Sequence, residues 1–170
     1  MWHFFTRVLR QEARYRLLKG SGVRVFSRPE MLKGWLAEHG LTLQSREHLI
    51  TDAGRLVPGW NLQTEGIEFF VHSPFAHRHD AGITDRNQNC LVMQAVFLHA
   101  GCLSRMLITA DSEVDDWNLI VDITRAHAEK DPSRMDRLKW DIFKCPHHCS
   151  YGAISKEKGV TITRPSDQFG

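Results

Sequence analysis

The chain has 170 residues, 42% hydrophobic and 25% charged, with a formal net charge of +2. That length suits one compact domain with its own core, and so small a charge does not argue for nucleic acid. No run approaches the roughly eighteen apolar residues of a membrane span, and arginines interrupt Met1-Trp-His-Phe-Phe-Thr-Arg7 before a signal-peptide core forms. No membrane partner and a cytoplasmic location are therefore expected.

Trp2 to Leu18 has the spacing of an amphipathic helix, with Phe4, Phe5, Val8, Leu9, Tyr15 and Leu18 roughly on one side. Arg7, Arg10, Arg14, Arg16, Lys19, Arg24 and Arg28 crowd this lead-in, with Glu12 the acid among them. Such a segment can meet a phosphate backbone, although the solvated face of a helix is the commoner role. Gly20-Ser-Gly22 ends the helix, and Val23 to Phe26 alternates like a short strand. Ser27-Arg-Pro-Glu30 then opens a helix from Met31 to Glu38, with Ser27 as its cap. Residues 1–40 thus form a basic lead-in of helix and strand. Leu41 to Gly66 suggests short strands broken at Asp52-Ala-Gly54 and Pro58-Gly59, in a hairpin or meander at a sheet edge.

Ile67 to Val71 is strand-like and stops at His72-Ser73-Pro74. Beyond a polar loop come two apolar runs, Cys90 to Leu98 and Leu103 to Thr109, joined by a turn at His99-Ala-Gly-Cys102. Strands this apolar belong in the middle of a sheet, covered on both faces. Ala110-Asp111-Ser112 precedes a helix from about Val114 to Glu129, with Trp117, Ile120, Val121 and Thr124 on its inner face. Asp131-Pro132 breaks it, and a short helix follows from Ser133 to Leu138. A strand from Trp140 to Lys144 leads into Cys145-Pro-His-His-Cys-Ser150, where another helix begins, and Gly159 to Thr163 reads as a last strand. The expected class is α/β (α+β): one domain over residues 1–170, a mixed sheet flanked by helices, and a motif-bearing core in residues 67–163.

Three strand ends carry ligand-type residues: His72, Asp111 and the pair His147-His148. Asp111 and His147 are 36 residues apart, enough for a helical crossover between neighbouring strands. Imidazole nitrogen is a common zinc ligand, and aspartate can bridge two ions. Two metals about 4 Å apart can activate water and clamp both oxygens of a phosphoryl displacement. Plainer roles exist for each residue, Asp111 as a helix cap and His72 as a hydrogen-bonded structural histidine. The four cysteines are too few for a disulfide framework. Cys90 and Cys102 are expected in the core, which leaves Cys145 and Cys149 poorly supplied with partners for a structural zinc. Cys149 as a nucleophile beside His148 lacks an orienting acid.

The run from Asn87 to Ser155 resembles the C-terminal half of a metallo-β-lactamase-fold hydrolase, of the branch related to the hydrolase domain of the DNA-uptake protein ComEC. That branch has an Asn-x-x-Ser-type strand, a strand ending in Gly-Asp, a helix, and a strand ending in His-His-Gly-Ser. This chain has Asn87-Gln-Asn-Cys90, Leu107-Ile-Thr-Ala-Asp111 and Asp141-Ile-Phe-Lys-Cys-Pro-His-His-Cys-Ser150. The resemblance implies half of an αββα sandwich, Asp111 as bridging metal ligand, His147 and His148 as further ligands, and more weakly His72. It also implies zinc, in a two-metal site when the fold is complete, with manganese as the other candidate. The implied substrate is a phosphodiester or nucleic acid, with Asp111 holding the metals and a histidine of the pair, His148, ligating or protonating the leaving group. Two glycines of the pattern are replaced, by Ala110 and Cys149. The family's upstream His-x-His-x-Asp-His loop has no counterpart, because His77-Arg-His-Asp80 lacks the final Asp-His order and His79 lies only 32 residues before Asp111. The chain is therefore expected to need a complementary N-terminal half or a second copy. The rival expectation is a non-catalytic half-domain that binds such a partner. An isolated half would leave one apolar sheet face open.

Overall fold

A computed structural model of the chain describes residues 2–28, 30–75, 90–153 and 155. Helix α1 (Trp2–Lys19) ends at Gly20, whose φ of +80° is a left-handed stop that glycine adopts without strain. The N–H groups of Gly20 and Ser21 both donate to the Arg16 carbonyl, at 2.9 and 3.2 Å. Arg46 reaches back to donate to the carbonyls of Leu17 (2.7 Å) and Leu18 (2.6 Å), groups a helix end leaves unpaired. Strand β1 (Val25–Phe26) pairs in parallel with β2 (Ile50–Thr51), and α2 (Glu30–Glu38) lies between them in sequence. Leu17, Leu36 and Leu49 form a small core here, with Val25, Leu32 and Trp35 packed against it.

Two expectations for this region need correction. Leu41 to Gly66 is a meander only in part: it holds β2 and a stretch at Leu56 antiparallel to the edge strand, but Thr42 and Ser45 exchange side-chain-to-backbone hydrogen bonds at 3.1 and 3.2 Å, starting a 3₁₀ helix over Gln44–Leu49. The segment reaches the main sheet through an antiparallel bridge from Leu56 to Phe70 and a 2.8 Å hydrogen bond from the Leu98 N–H to the Gly66 carbonyl. Ser27 is not a cap either. It is buried, has a φ of +69°, and donates its N–H to the Thr51 carbonyl.

The main sheet has four strands in the order β3 (Ile67–Ser73), β4 (Val92–His99), β5 (Cys102–Ile108) and β6 (Ile142–Phe143). The first three are antiparallel neighbours, and β6 runs parallel to β5. The class is thus α/β (α+β) with a mixed sheet, as expected. β4 and β5 are central and turn through Ala100-Gly101, both with positive φ as a two-residue hairpin requires. Parallel pairing needs a crossover, supplied by α3 (Val114–Ala128) and a 3₁₀ segment (Pro132–Leu138).

Cross-strand rows show which face is covered. Phe70, Gln94, Leu107 and Phe143 lie side by side across all four strands. Gln94 is fully buried and donates to the carbonyls of Asp136 and Lys139 at 2.8 Å, while Phe143 packs near Trp117 of α3. Arg137 lies over the Phe70 ring and pairs with Glu68 at 2.6 Å. The adjacent row, Phe69, Ala95, Met106 and Ile142, faces the other way. There Trp60 covers Phe69, Phe97 is 39% exposed and Ile142 55% exposed. The central strands are therefore not sealed on both sides, and Cys102 is exposed rather than in the core. The strand expected over Trp140–Lys144 shrinks to an exposed pair at the sheet edge. The helix expected near Ser150 is a single 3₁₀ turn, Tyr151–Ala153, within the described residues. The strand expected at Gly159–Thr163 lies outside them. Among the described residues no helix is long and apolar enough to cross a membrane.

Candidate metal site at the strand ends

Because β3, β5 and β6 run the same way, their C-terminal ends share one edge of the sheet, beside the start of β4. The ends of β5 and β6 are tied together by main-chain contacts. Lys144 N–H donates to the Leu107 carbonyl at 3.1 Å, Thr109 Oγ1 donates to the Lys144 carbonyl at 2.6 Å, and His147 N–H donates to the Ala110 carbonyl at 3.0 Å. This clasp draws two segments distant in sequence into one cluster. Asp111 Oδ1 lies 3.6 Å from His148 Nε2, and Glu113 Oε1 lies 3.5 Å from His147 Nδ1.

The backbone here is unusual. Ala110 (φ +47°), His147 (+44°), His148 (+54°) and Cys149 (+63°) are four of the six non-glycine residues with left-handed φ among those described. A left-handed conformation costs an ordinary residue roughly 1–2 kcal/mol, and such strain gathers where surrounding structure enforces it. Ala110 and Cys149 stand where the resemblance calls for glycine, and both keep a glycine-like conformation despite their Cβ atoms.

Asp111 is half-exposed and does not cap α3. The cap is Glu113, whose N–H donates to the Asp116 carboxylate at 2.9 Å. The Asp111 carboxylate is thus left facing His148, whose ring is exposed. His147 differs: its Nδ1 atom is buried and has no hydrogen bond, since the 3.5 Å approach of Glu113 is too long for one. A buried ring nitrogen without a partner is costly unless something accepts its proton or its lone pair.

Two participants were not foreseen from the sequence. Glu113 was hidden because nothing in its spacing marks it as more than a cap. Cys90 was assigned to the core, yet its thiol is hydrogen-bonded by the Asp111 backbone and only half-buried. Burial, with the nearby Asp116 carboxylate, pushes that thiol up to about 11. Cys145 and Cys149 are reduced, and contact with the Cys149 side chain raises the Cys145 thiol above its ordinary range.

His72 sits at the same edge but looks elsewhere. It is buried, its Nε2–H donates to the Arg137 carbonyl at 3.0 Å, and its ring meets Phe70 edge-on. Desolvation lowers its pKa to about 4, so the ring is neutral at physiological pH. It shares a cavity of about 440 Å³ with Ile120, Ile123, Thr124 and His127. Those residues lie about 10 Å or more along α3 from Glu113, at 1.5 Å per residue. The fold brings together Asp111, Glu113, His147 and His148, and it gives His72 a separate set of neighbours.

Comparison with protein-family models, curated proteins and solved structures gave no match. The site must therefore be judged on its own chemistry. Two imidazoles and two carboxylates in close pairs, one nitrogen orphaned, are donors that suit zinc or manganese. Among the described residues, however, no three ligand-type side chains converge on one point. The residues present fit part of a metal site.

Proposed function

We propose that this chain carries the C-terminal share of a metal-dependent hydrolase site of the metallo-β-lactamase, ComEC-like kind, directed at phosphodiesters or nucleic acid. The observation behind this is the pairing of Asp111 with His148 and Glu113 with His147 across two strand ends held by the Thr109 and His147 clasps. Asp111, His147 and His148 would hold zinc or manganese, which when bound supplies Lewis acidity toward a phosphoryl oxygen and an acidified water. Asp111, free of capping duty, contributes a carboxylate. His148, exposed at the rim, would hand a proton to a leaving oxygen where it does not itself ligate the metal. Glu113, 3.5 Å from the His147 ring, would orient that ring if the gap closed to a hydrogen bond, as an outer carboxylate does for many ligating histidines.

A second reading has its own observation. With no three ligand-type side chains converging among the described residues, the chain alone suits a non-catalytic half-domain that binds a complementary half, the half carrying the remaining ligands. One experiment separates the two. The chain is mixed with a segment bearing His-x-His-x-Asp-His, and bound metal and phosphodiester cleavage are measured. The hydrolase reading expects about two metals per complex, and activity that Asp111→Ala abolishes while circular dichroism stays unchanged. A complex that forms without gaining metal or activity supports the half-domain, and full activity in Asp111→Ala removes Asp111 from the mechanism.

A further inference from the structure

Helix α1 presents its apolar residues to solvent rather than to a core. Every residue from Phe4 to Arg16 is exposed, and burial begins only at Leu17. Phe4 is 66%, Phe5 54%, Val8 48%, Leu9 69% and Tyr15 59% exposed, so five large apolar groups lie in water on one helix. Folded chains seldom leave such a contiguous patch uncovered unless it meets something.

Most arginines of the same helix lie apart from these groups, while the ion-paired Glu12 and Arg16 fall among them. At about 100° per residue, Phe4, Phe5, Val8, Leu9 and Tyr15 occupy one side, and Arg7, Arg10 and Arg14 cluster on the opposite side. Glu12 is neutralised by Arg16 at 2.7 Å, which leaves the arginine side with no opposing acid on α1. We propose that α1 lies along an anionic lipid surface, with Phe4, Phe5, Val8 and Leu9 sunk between headgroups and Arg7 and Arg10 reaching lipid phosphates, while Arg14 lies over the Trp35 ring. A helix with aromatic and aliphatic residues on one side and arginines on the other matches both layers of such an interface. Nucleic acid would engage the arginines and leave the apolar side in water, so it accounts for half of the pattern. The absence of a spanning segment bears on crossing a bilayer, not on lying at its surface.

The test is co-sedimentation of the full chain with phosphatidylcholine vesicles, with and without phosphatidylglycerol. The chain is expected to sediment with the anionic vesicles and to release as salt rises. Arg7→Glu with Arg10→Glu should weaken binding about thirtyfold, and Phe5→Ser with Leu9→Ser should weaken it by tenfold or more. Circular dichroism of both variants should match the parent, since the altered side chains are exposed. Three results overturn the proposal: no sedimentation, vesicle binding that survives Phe5→Ser/Leu9→Ser, or a dimer lost in Phe5→Ser/Leu9→Ser by ultracentrifugation without vesicle binding. Tighter binding to duplex DNA than to anionic vesicles, unaffected by the apolar variant, assigns the arginines to nucleic acid and overturns it too.

Discussion

Ala110 is a residue whose backbone asks for glycine and whose side chain asks for nothing. Its φ of +47° places it where a Cβ costs roughly 1–2 kcal/mol. Glycine at that position relieves the strain but loosens the unfolded chain by roughly 0.4–1 kcal/mol. Ala110→Gly should therefore raise stability by up to about 1 kcal/mol in a denaturant titration; a loss of that size would argue against the left-handed turn. His72 makes a prediction about pH. Its folded pKa of about 4 lies below the unfolded value of 6.5, so the folded state resists protonation. The associated stability is fully present above about pH 6.5 and drains away as pH falls toward 4, by ~3 kcal/mol in all. Melting curves of the parent should fall more steeply across that window than those of His72→Gln, which keeps an amide donor for the Arg137 carbonyl. Parallel slopes would mean that His72 is not the buried neutral ring described.

The clasp between β5 and β6 belongs to the scale of elements. Thr109 is fully buried, and its hydroxyl bonds the Lys144 carbonyl at 2.6 Å. Thr109→Val keeps the shape and strands that carbonyl, a loss of about 1–3 kcal/mol. If the clasp also aligns the site, zinc affinity should fall in the same variant; unchanged stability would show that β6 is held by other contacts. At this scale the sequence was informative where period and punctuation agreed. The apolar runs and the His99-Ala-Gly-Cys102 turn made β4 and β5 legible, and Asp131-Pro132 marked the end of α3. Leu41 to Gly66 misled because its scattered leucines fit a strand pattern, while the Thr42–Ser45 exchange that starts the 3₁₀ turn is a local bond no periodicity reports. The stripe on α1 was legible as amphipathic, yet periodicity says only that one side is apolar, not that the side is covered. In the site, Asp111 and the histidine pair could be read as strand-end residues. Glu113 could not, because its relation to His147 exists only once both loops are folded.

Over the whole molecule, a four-stranded sheet carries α3 and a 3₁₀ segment on one face, while Phe97 and Ile142 stay exposed on the other. Exposed apolar groups on a sheet face and at a two-residue edge strand favour association. The chain alone should accordingly show concentration-dependent self-association by ultracentrifugation, diminished by Phe97→Ser; a monomer at all concentrations would mean that the open face needs no cover. The central claim concerns Asp111, His147 and His148, and the most direct test is a zinc(II) titration of the isolated chain followed by NMR of its histidine rings. The account predicts that the His147 and His148 ring signals shift with zinc, that Asp111→Ala weakens the response, and that the His72 signal stays put. Zinc that leaves the His147 and His148 rings unmoved would contradict it.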